Sequence, residues 1–216
     1  LPRTELEEVC GFGPNTVQLL RKQGLQTAMD FVNRPVKWAE KMLGKVGVEI
    51  WNELRGDVMY PVSPEEKTSY ASISKCKTFT APSGDREYVY ARLIRNVESA
   101  FIKLRRYDLQ ARDVYVALRH NDFTQEGLEA RLNRATSTTQ EVVPMVREMF
   151  AQLYRPGIEY RCTMVALGNL QSLRSDQFEL FENRLQIEKM FRASRVIDEV
   201  NRQYGKHRLS LGVSLF

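Results

Sequence analysis

The chain has 216 residues, of which 43% are hydrophobic and 27% are charged. This length fits one large globular domain or two small ones, and no apolar run reaches the ~18 residues that a membrane span requires. Lysine and arginine exceed aspartate and glutamate by 32 to 27, a modest basic excess that permits a polyanionic partner without identifying one. No leader precedes the first motif, so we expect a cytoplasmic protein without membrane association.

Few residues suit metal or nucleophilic chemistry. Cys10, Cys76 and Cys162 lie far apart without CxxC spacing, so we expect reduced, structural cysteines rather than a disulfide framework or a zinc site. His120 and His207 are the only histidines, which disfavours a histidine-centred metal or nucleophile site. The sequence therefore predicts neither a resident metal ion nor a catalytic residue.

Residues 1–57 have the pattern of short helices separated by glycine-bearing turns. The turns are predicted at Gly11, Gly13, Gly24, Gly44, Gly47 and Gly56. Residues 58–67 carry two prolines and no helical period, which predicts an extended linker between two domains.

From residue 68 to residue 170 the hydrophobic spacing switches between a period of about two and a period of about 3.6. The predicted order is strand, helix, strand, strand, helix, strand, at residues 68–80, 85–106, 112–120, 128–137, 139–154 and 160–170. Two such units normally share one antiparallel sheet, with both helices on one face. We therefore predict an α+β fold: a small all-α domain, then a βαββαβ domain whose four-stranded sheet keeps one face free for a partner.

Residues 171–216 are predicted to form a tail. A polar stretch at 171–177 leads into a short apolar cluster, and an amphipathic helix follows, with apolar residues at helical spacing from Ile187 to Tyr204. The helix is expected to end at Gly205, before a short terminal strand at 208–216. Its apolar face needs a partner, either within the chain or outside it.

The first motif is the Gly-Phe-Gly segment at Gly11–Gly13, which lies between two apolar helical stretches. It has the form of a helix-hairpin-helix. Gly11 and Gly13 permit a tight turn and close backbone approach, and the free amides near Asn15 and Thr16 can bind a phosphate. Such contacts hold DNA without reading its sequence. The alternative is a glycine turn that joins two helices and binds nothing.

Two predicted strands mix small, hydroxyl and basic side chains, which suits a surface that approaches a duplex and neutralises its phosphates. The candidate DNA-binding residues are Ser72, Ser74, Lys75, Lys77, Arg131 and Arg134. Strict alternation puts Arg131 and Arg134 on opposite faces, so both contact DNA only if one lies at a bulge or a strand end. The alternative is a basic sheet that is merely solvated.

The third motif lies in the predicted tail at Gln177–Phe181. It places one amide and three large apolar groups on a segment with little prospect of forming its own core. Such a peptide suits docking into a preformed pocket, with Phe178, Leu180 and Phe181 as anchors and Gln177 fixing the orientation. The alternative is that the cluster packs against the preceding domain.

Taken in order, these motifs resemble the C-terminal half of Y-family translesion DNA polymerases, of the bacterial DNA polymerase IV type, over nearly the whole chain. Residues 9–16 and 25–31 are similar to the thumb, 72–79 and 131–136 to strands of the little finger, 177–181 to the clamp-binding motif, and 197–207 to a tail sequence of many members. The sequence departs from the family pattern at four positions. Lys75 and Lys77 stand where arginine is frequent, Met164 where glycine is common, and Phe178 where leucine is usual.

The resemblance implies a thumb (1–57), a linker (58–67), a little finger (68–170) and a clamp-binding tail (171–216) in a nucleoid-associated bacterial protein. It further implies that the catalytic carboxylates, which hold Mg²⁺, belong to a palm domain N-terminal to Leu1, since no Ser-x-Asp-Glu-like pair occurs in the chain. We therefore expect the non-catalytic portion of an error-prone polymerase, which has no cofactor of its own, grips primer-template DNA and docks on the sliding clamp.

Two other functions compete with this interpretation. A stand-alone DNA-binding or clamp-recruitment adaptor would keep the same contacts without polymerase activity. The chain starts immediately before the first hairpin helix, which we take to favour a truncated polymerase. An RNA-binding sheet of the RRM kind shares the strand order, but the third strand lacks the aromatic residues that stack on bases.

Overall fold

A computed structural model describes residues 1–62, 64, 70–173 and 183–214. The chain divides into two compact units, Leu1–Glu66 and Lys67–Phe216. Within the described ranges, no helix combines the length and the apolar character needed to cross a bilayer. The motif predicted at Gln177–Phe181 lies outside the described residues.

The first unit is helical. A 3-10 turn at Leu6–Glu8 precedes α1 (Pro14–Lys22), α2 (Ala28–Val32) and α3 (Val36–Arg55). Their apolar faces enclose a small core around the fully buried Leu6, Leu20 and Phe31. Thr27 caps α2: its hydroxyl accepts the backbone N–H of Asp30, whose carboxylate accepts the backbone N–H of Thr27. This reciprocal pair fixes where α2 begins.

One of the predicted glycine turns is corrected by the structure, because Gly47 lies inside a helical part of α3, whereas the predicted break at Gly44 is present. Gly44 has φ +64° and breaks the helix into two pieces. Gly47 is not at a turn. A Cβ at this position would come 2.7 Å from the carbonyl oxygen of Ala39, so glycine is needed there for close packing between the pieces.

The second unit is a sheet with helices on one face. Its elements are β1 (Ile73–Ser83), α4 (Arg86–Arg106), β2 (Leu109–His120), β3 (Gln125–Thr136), α5 (Thr139–Leu153), β4 (Tyr160–Ser172) and α6 (Arg184–Tyr204). The strands are antiparallel in the order β1-β4-β2-β3. Helix α4 packs on β1, β2 and β4, and α5 packs on β2 and β3. The predicted α+β fold with its βαββαβ order is confirmed.

Alternation along the strands decides which side chains enter the core. Val114, Val116 and Leu118 of β2 are fully buried under the helices, where they meet Leu93 and Val97 of α4. The side chains between them point to the other side of the sheet, which we term the open face. The open face comprises Ser74, Cys76, Thr78, Asp113, Tyr115, Ala117, Arg119, Gln125, Glu129, Arg131, Asn133, Cys162, Met164 and Ala166.

Helix α6 joins the helical layer through polar contacts. Arg105 of α4 donates to both carboxylate oxygens of Asp198, over 2.6 and 2.8 Å, and to the carbonyl oxygen of Ser137 over 2.8 Å. Ser194 adds a hydrogen bond to the side-chain oxygen of Gln140 on α5. These polar contacts attach α6 to the chain, while the apolar residues Ile187, Phe191 and Ile197 are half-buried.

The predicted terminal strand is wrong over its described part, where the chain forms turns and a short 3-10 segment. The side chain of Asn201 binds the backbone N–H and the carbonyl of Leu209, over 2.9 and 2.8 Å. The backbone N–H of Leu211 donates to the carboxylate of Glu98. Side chains thus occupy backbone groups that a strand would use in a ladder, so the alternating apolar residues do not produce one.

Candidate nucleic-acid interface

The Gly11–Gly13 turn of the first unit leads directly into α1. Gly11 has φ +95°, so the backbone favours glycine; a Cβ there would come 2.8 Å from the terminal Cδ1 of Ile50. Gly13 is the N-cap of α1 with φ −79° and has open space where a side chain would begin. The backbone therefore favours glycine at the first position, whereas the second glycine leaves the backbone accessible.

The N terminus of α1 offers two backbone donors. No side chain caps this helix, and its first residue is a proline without an N–H group. The first intrahelical hydrogen bond runs from the N–H of Val17 to the carbonyl of Gly13, so the amides of Asn15 and Thr16 precede it. Asn15 is exposed and Thr16 half-buried. The candidate residues of the hairpin therefore lie together on one surface turn, where an anion can reach the amides.

In the second unit, β1 separates residues that the sequence interpretation had grouped. Lys75 and Lys77 alternate with the open-face residue Ser74 and share the helix side with Ile73 and Phe79, which are 1% and 8% exposed. Ser74 therefore does not share a surface with the two lysines, because neighbouring side chains of a strand point to opposite faces. Ser72 is exposed immediately before the strand.

Lys75 and Lys77 instead join cations of the helical layer at the edge of the sheet. Lys77 lines a shallow depression together with Arg92 and Arg95 of α4. Lys206, which follows α6, lies within electrostatic range of Lys75, Lys77 and Arg95. We term Lys75, Lys77, Arg92, Arg95 and Lys206 the basic edge.

The basic edge is not neutralised by ion pairs among the described residues, although the carboxylate of Glu98 lies within electrostatic range of Arg95. None of its residues forms an ion pair with a carboxylate in the part of the chain that the structure describes. Burial and the neighbouring cations lower the pKa of the Lys206 ammonium. The Nε of Arg92 is buried and has no hydrogen-bond partner among the described residues. An anion bound here would lower the electrostatic free energy of all five side chains.

Burial and the positive charges of the basic edge also lower the pKa of His207. Burial, followed by the charges of Arg95, Lys206 and Lys77, lowers the pKa of its imidazole to about 4. The ring is therefore neutral at pH 7, and its Nε2 lies 3.0 Å from the hydroxyl oxygen of Ser99.

Arg131 and Arg134 of β3 lie on opposite faces, and each binds a carboxylate. Arg131, on the open face, reaches both oxygens of Asp113 over 2.7 and 3.0 Å and keeps 67% of its side chain exposed. Its hydrogen bond and charge lower the pKa of Asp113. Arg134 binds Glu141 of α5 and is only 18% exposed. A register shift does follow Arg131, but it leaves Arg134 on the helix side, so the two arginines do not share a surface.

The open face also carries two cysteines whose proximity the sequence spacing did not reveal. The Sγ atoms of Cys76 and Cys162 lie 2.8 Å apart, and both thiols are free. Burial, followed by the hydrogen bond to Cys76, raises the pKa of the Cys162 thiol to about 11, so this thiol is protonated at neutral pH.

Sequence reasoning missed three residues of the basic edge. Arg92 and Arg95 are three positions apart on the outer face of α4, so the amphipathic pattern carried a signal for them. Lys206 carried none, because only the packing of the chain after α6 brings it beside β1.

The described residues contain no group of three His, Cys, Asp or Glu side chains that could hold a metal ion. They therefore offer no fit for the Mg²⁺ that the resemblance implies for a parent enzyme. That ion enters no step of the proposals below.

The sequence of the chain matches a known protein family. A model of the C-terminal domain of the impB/mucB/samB family matches residues 70–180. The chain belongs to this family. The matched range contains the whole four-stranded sheet, so Lys75, Lys77, Arg92 and Arg95 lie inside the family domain, whereas Lys206 lies beyond it.

The chain is similar to DNA polymerase IV of Clostridium kluyveri, with 22% identity over 214 residues that cover 96% of this chain and 53% of that protein. DNA polymerase IV of Moorella thermoacetica is 24% identical over 210 residues, which cover 97% and 52%. The chain thus spans about half the length of these curated relatives. Among solved structures, a Y-family DNA polymerase chimera of Dbh and Dpo4 superposes with a TM-score of 0.52 at 16% identity, over 78% of this chain and 48% of that one. This likeness shows the shared fold.

Proposed function

We propose that the chain holds primer-template DNA for a Y-family translesion polymerase, without transferring nucleotides itself, and docks on the bacterial sliding clamp. The observation that carries the proposal is the basic edge, where five cations form no ion pair with a carboxylate among the described residues and two of them, Lys77 and Lys206, are exposed; it lies on a member of this family. The relatives named DNA polymerase IV support DNA as the polyanion.

The basic edge suits phosphates rather than bases. Lysine and arginine side chains on a sheet edge neutralise backbone charge and release counterions, which gives affinity without sequence preference. The amides of Asn15 and Thr16 supply a second, uncharged phosphate contact in the first unit. Both kinds of contact hold a duplex and leave its bases free for a template-directed reaction.

Salt titration of DNA binding tests the proposal. We expect a fluorescent primer-template to bind the 216-residue chain with log K falling linearly with log salt, by about 0.9 for each phosphate contact. A duplex of shuffled sequence should bind equally well in the same anisotropy assay. Binding that does not change with salt would contradict the phosphate contacts.

Primer extension tests the non-catalytic part of the proposal. The described residues hold no metal-binding carboxylate cluster, so the chain with primer-template, nucleotides and magnesium should yield no product. Extension by a clean preparation would overturn this part. Reading the codons upstream of Leu1 for a palm domain would separate a polymerase portion from a stand-alone adaptor.

Clamp docking is proposed for Gln177–Phe181 on the strength of the motif alone. Buried apolar side chains dominate small interfaces, so Leu180→Ala or Phe181→Ala should each weaken binding to a bacterial sliding clamp by about 2 kcal/mol, or about thirtyfold. Gln177→Ala should cost less, and Glu179→Ala serves as a nearly neutral control. If the double change Leu180→Ala, Phe181→Ala lowered the melting temperature but left clamp titrations unchanged, the cluster would be part of the core instead.

A further inference from the structure

The hairpin that joins β2 to β3 has a bulky residue where its turn favours glycine. The N–H of Phe123 donates to the carbonyl of His120, and the N–H of His120 donates to the carbonyl of Thr124. Phe123 closes this turn with φ +72°, in the left-handed region that Gly or Asn adopts most readily. An aromatic residue at such a position is conformationally unfavourable and calls for a reason.

A second irregularity lies beside it on β4. Arg119 pairs with Cys162, but the next residue, His120, pairs with Tyr160. Arg161 is therefore the extra residue of a bulge, and bulges redirect side chains. Its guanidinium carbon lies 4.1 Å from the centroid of the Phe123 ring. Two separate departures from regular strand geometry thus build one aromatic-guanidinium stack.

The stack does not contribute to a hydrophobic core. Phe123 is 66% exposed, and the residues from Asn121 to Gln125 are all exposed. The neighbours of the ring in the turn are polar, whereas a protein-docking patch needs several hundred Å² of contiguous apolar surface. A single flat ring with a cation behind it and solvent in front has the size and the electronic character to stack on one nucleobase.

We propose that Phe123 and Arg161 form a stacking platform for an unpaired base of single-stranded DNA, such as the template overhang of a primer-template. The inference rests on the proposed DNA-holding function and adds a ligand to it, because the basic edge contacts phosphates and the platform contacts a base. Every base has a π face, so the platform tolerates any sequence.

Because Phe123 has a left-handed backbone conformation, its replacement by glycine removes both the aromatic ring and the conformational strain. Phe123→Gly should leave the melting temperature unchanged or raise it, and should weaken binding to an oligonucleotide with an overhang by about tenfold. Phe123→Trp, which keeps a stacking surface, should retain the affinity. Tyr204→Ala removes another exposed aromatic ring, 63% exposed, and should have no effect.

The readout is an overhang that carries the fluorescent base 2-aminopurine, compared with an abasic overhang and a blunt duplex. The unchanged chain and Phe123→Trp should quench the fluorescence, Phe123→Gly should not, and all three should bind the blunt duplex equally. If Phe123→Gly lowered the melting temperature and left the affinity for the overhang unchanged, the ring would be a packing element and the proposal would be overturned. Salt-dependent duplex binding without quenching would overturn the platform alone, whereas a failure to bind any DNA would overturn the proposed function as well.

Discussion

The basic edge and the open face belong to the same sheet, yet they present their basic side chains in different electrostatic states. On the open face, the guanidinium of Arg131 is bound by Asp113 of the neighbouring strand. On the basic edge, neither Lys75 nor Lys77 forms an ion pair with a carboxylate of the described residues. The difference teaches that the presence of a basic residue on a strand does not identify a phosphate site. A basic side chain is available to a phosphate only where no carboxylate already binds it.

The largest effect should come from Lys75→Ala combined with Lys77→Ala. Loss of two phosphate contacts should flatten the dependence of log K on log salt by about 1.8, and should weaken primer-template binding roughly thirtyfold near physiological salt. Fluorescence anisotropy over a series of salt concentrations measures both quantities.

The matched control removes the same number of charges from β3, by Arg131→Ala combined with Arg134→Ala. Because both arginines are already neutralised by carboxylates, the salt slope should stay nearly constant. If this variant flattened the slope while the lysine variant did not, β3 rather than the basic edge would carry the phosphate contacts, and the comparison would be reversed.

A smaller effect, on stability rather than on binding, is expected from Arg134→Ala. Arg134 and Glu141 are each only 18% exposed, so the change leaves a largely buried carboxylate without its partner and should lower the free energy of unfolding by about 1–3 kcal/mol. Arg131 is 67% exposed where Arg134 is 18% exposed, so water already screens its pair with Asp113 and Arg131→Ala should cost less. Denaturant unfolding of both variants measures the difference, and equal losses would show that burial does not distinguish the two pairs.

The smallest effect concerns the titration of His207. Its folded pKa of about 4 lies below the unfolded value of about 6.5, so the unfolded state takes up the proton first as the pH falls. Stability should therefore decrease from about pH 6.5 toward pH 4 and should be independent of this group above pH 6.5. Imidazole resonances followed by NMR give the pKa directly.

Binding of a short DNA duplex should raise the pKa of His207, because phosphates offset the charges of Arg95, Lys206 and Lys77. The variant Lys75→Ala, Lys77→Ala should raise it in the absence of DNA, though by less. A pKa that DNA does not move would place the bound phosphates away from the basic edge.

Much of the fold follows from short-range pattern. Helix α4 was predicted at 85–106 and lies at Arg86–Arg106, and α5 was predicted at 139–154 and lies at Thr139–Leu153. The carboxylate of Asp85 accepts the backbone N–H of Tyr88, a cap that is visible in the sequence. Periodicity and caps involve residues within a few positions of each other, so a single sequence contains them. The predicted terminal strand did not form because its backbone hydrogen bonds go to the side chains of Asn201, eight positions away, and of Glu98, more than a hundred positions away.

The sequence by itself determined the order of the elements, the hairpin glycines and the family resemblance, because each depends on neighbouring residues. Only the tertiary structure decided that Lys75 and Lys77 lie on the helix side of the sheet, beside Arg92 and Arg95. It also decided that Arg134 forms an ion pair with Glu141. Strand register and helix packing set these pairings across tens of residues, and a shift of one residue would send each side chain to the other face. For the same reason, the contact between Phe123 and Arg161 could not be predicted from the sequence. This contact depends on a bulge that appears only when β4 is paired with β2.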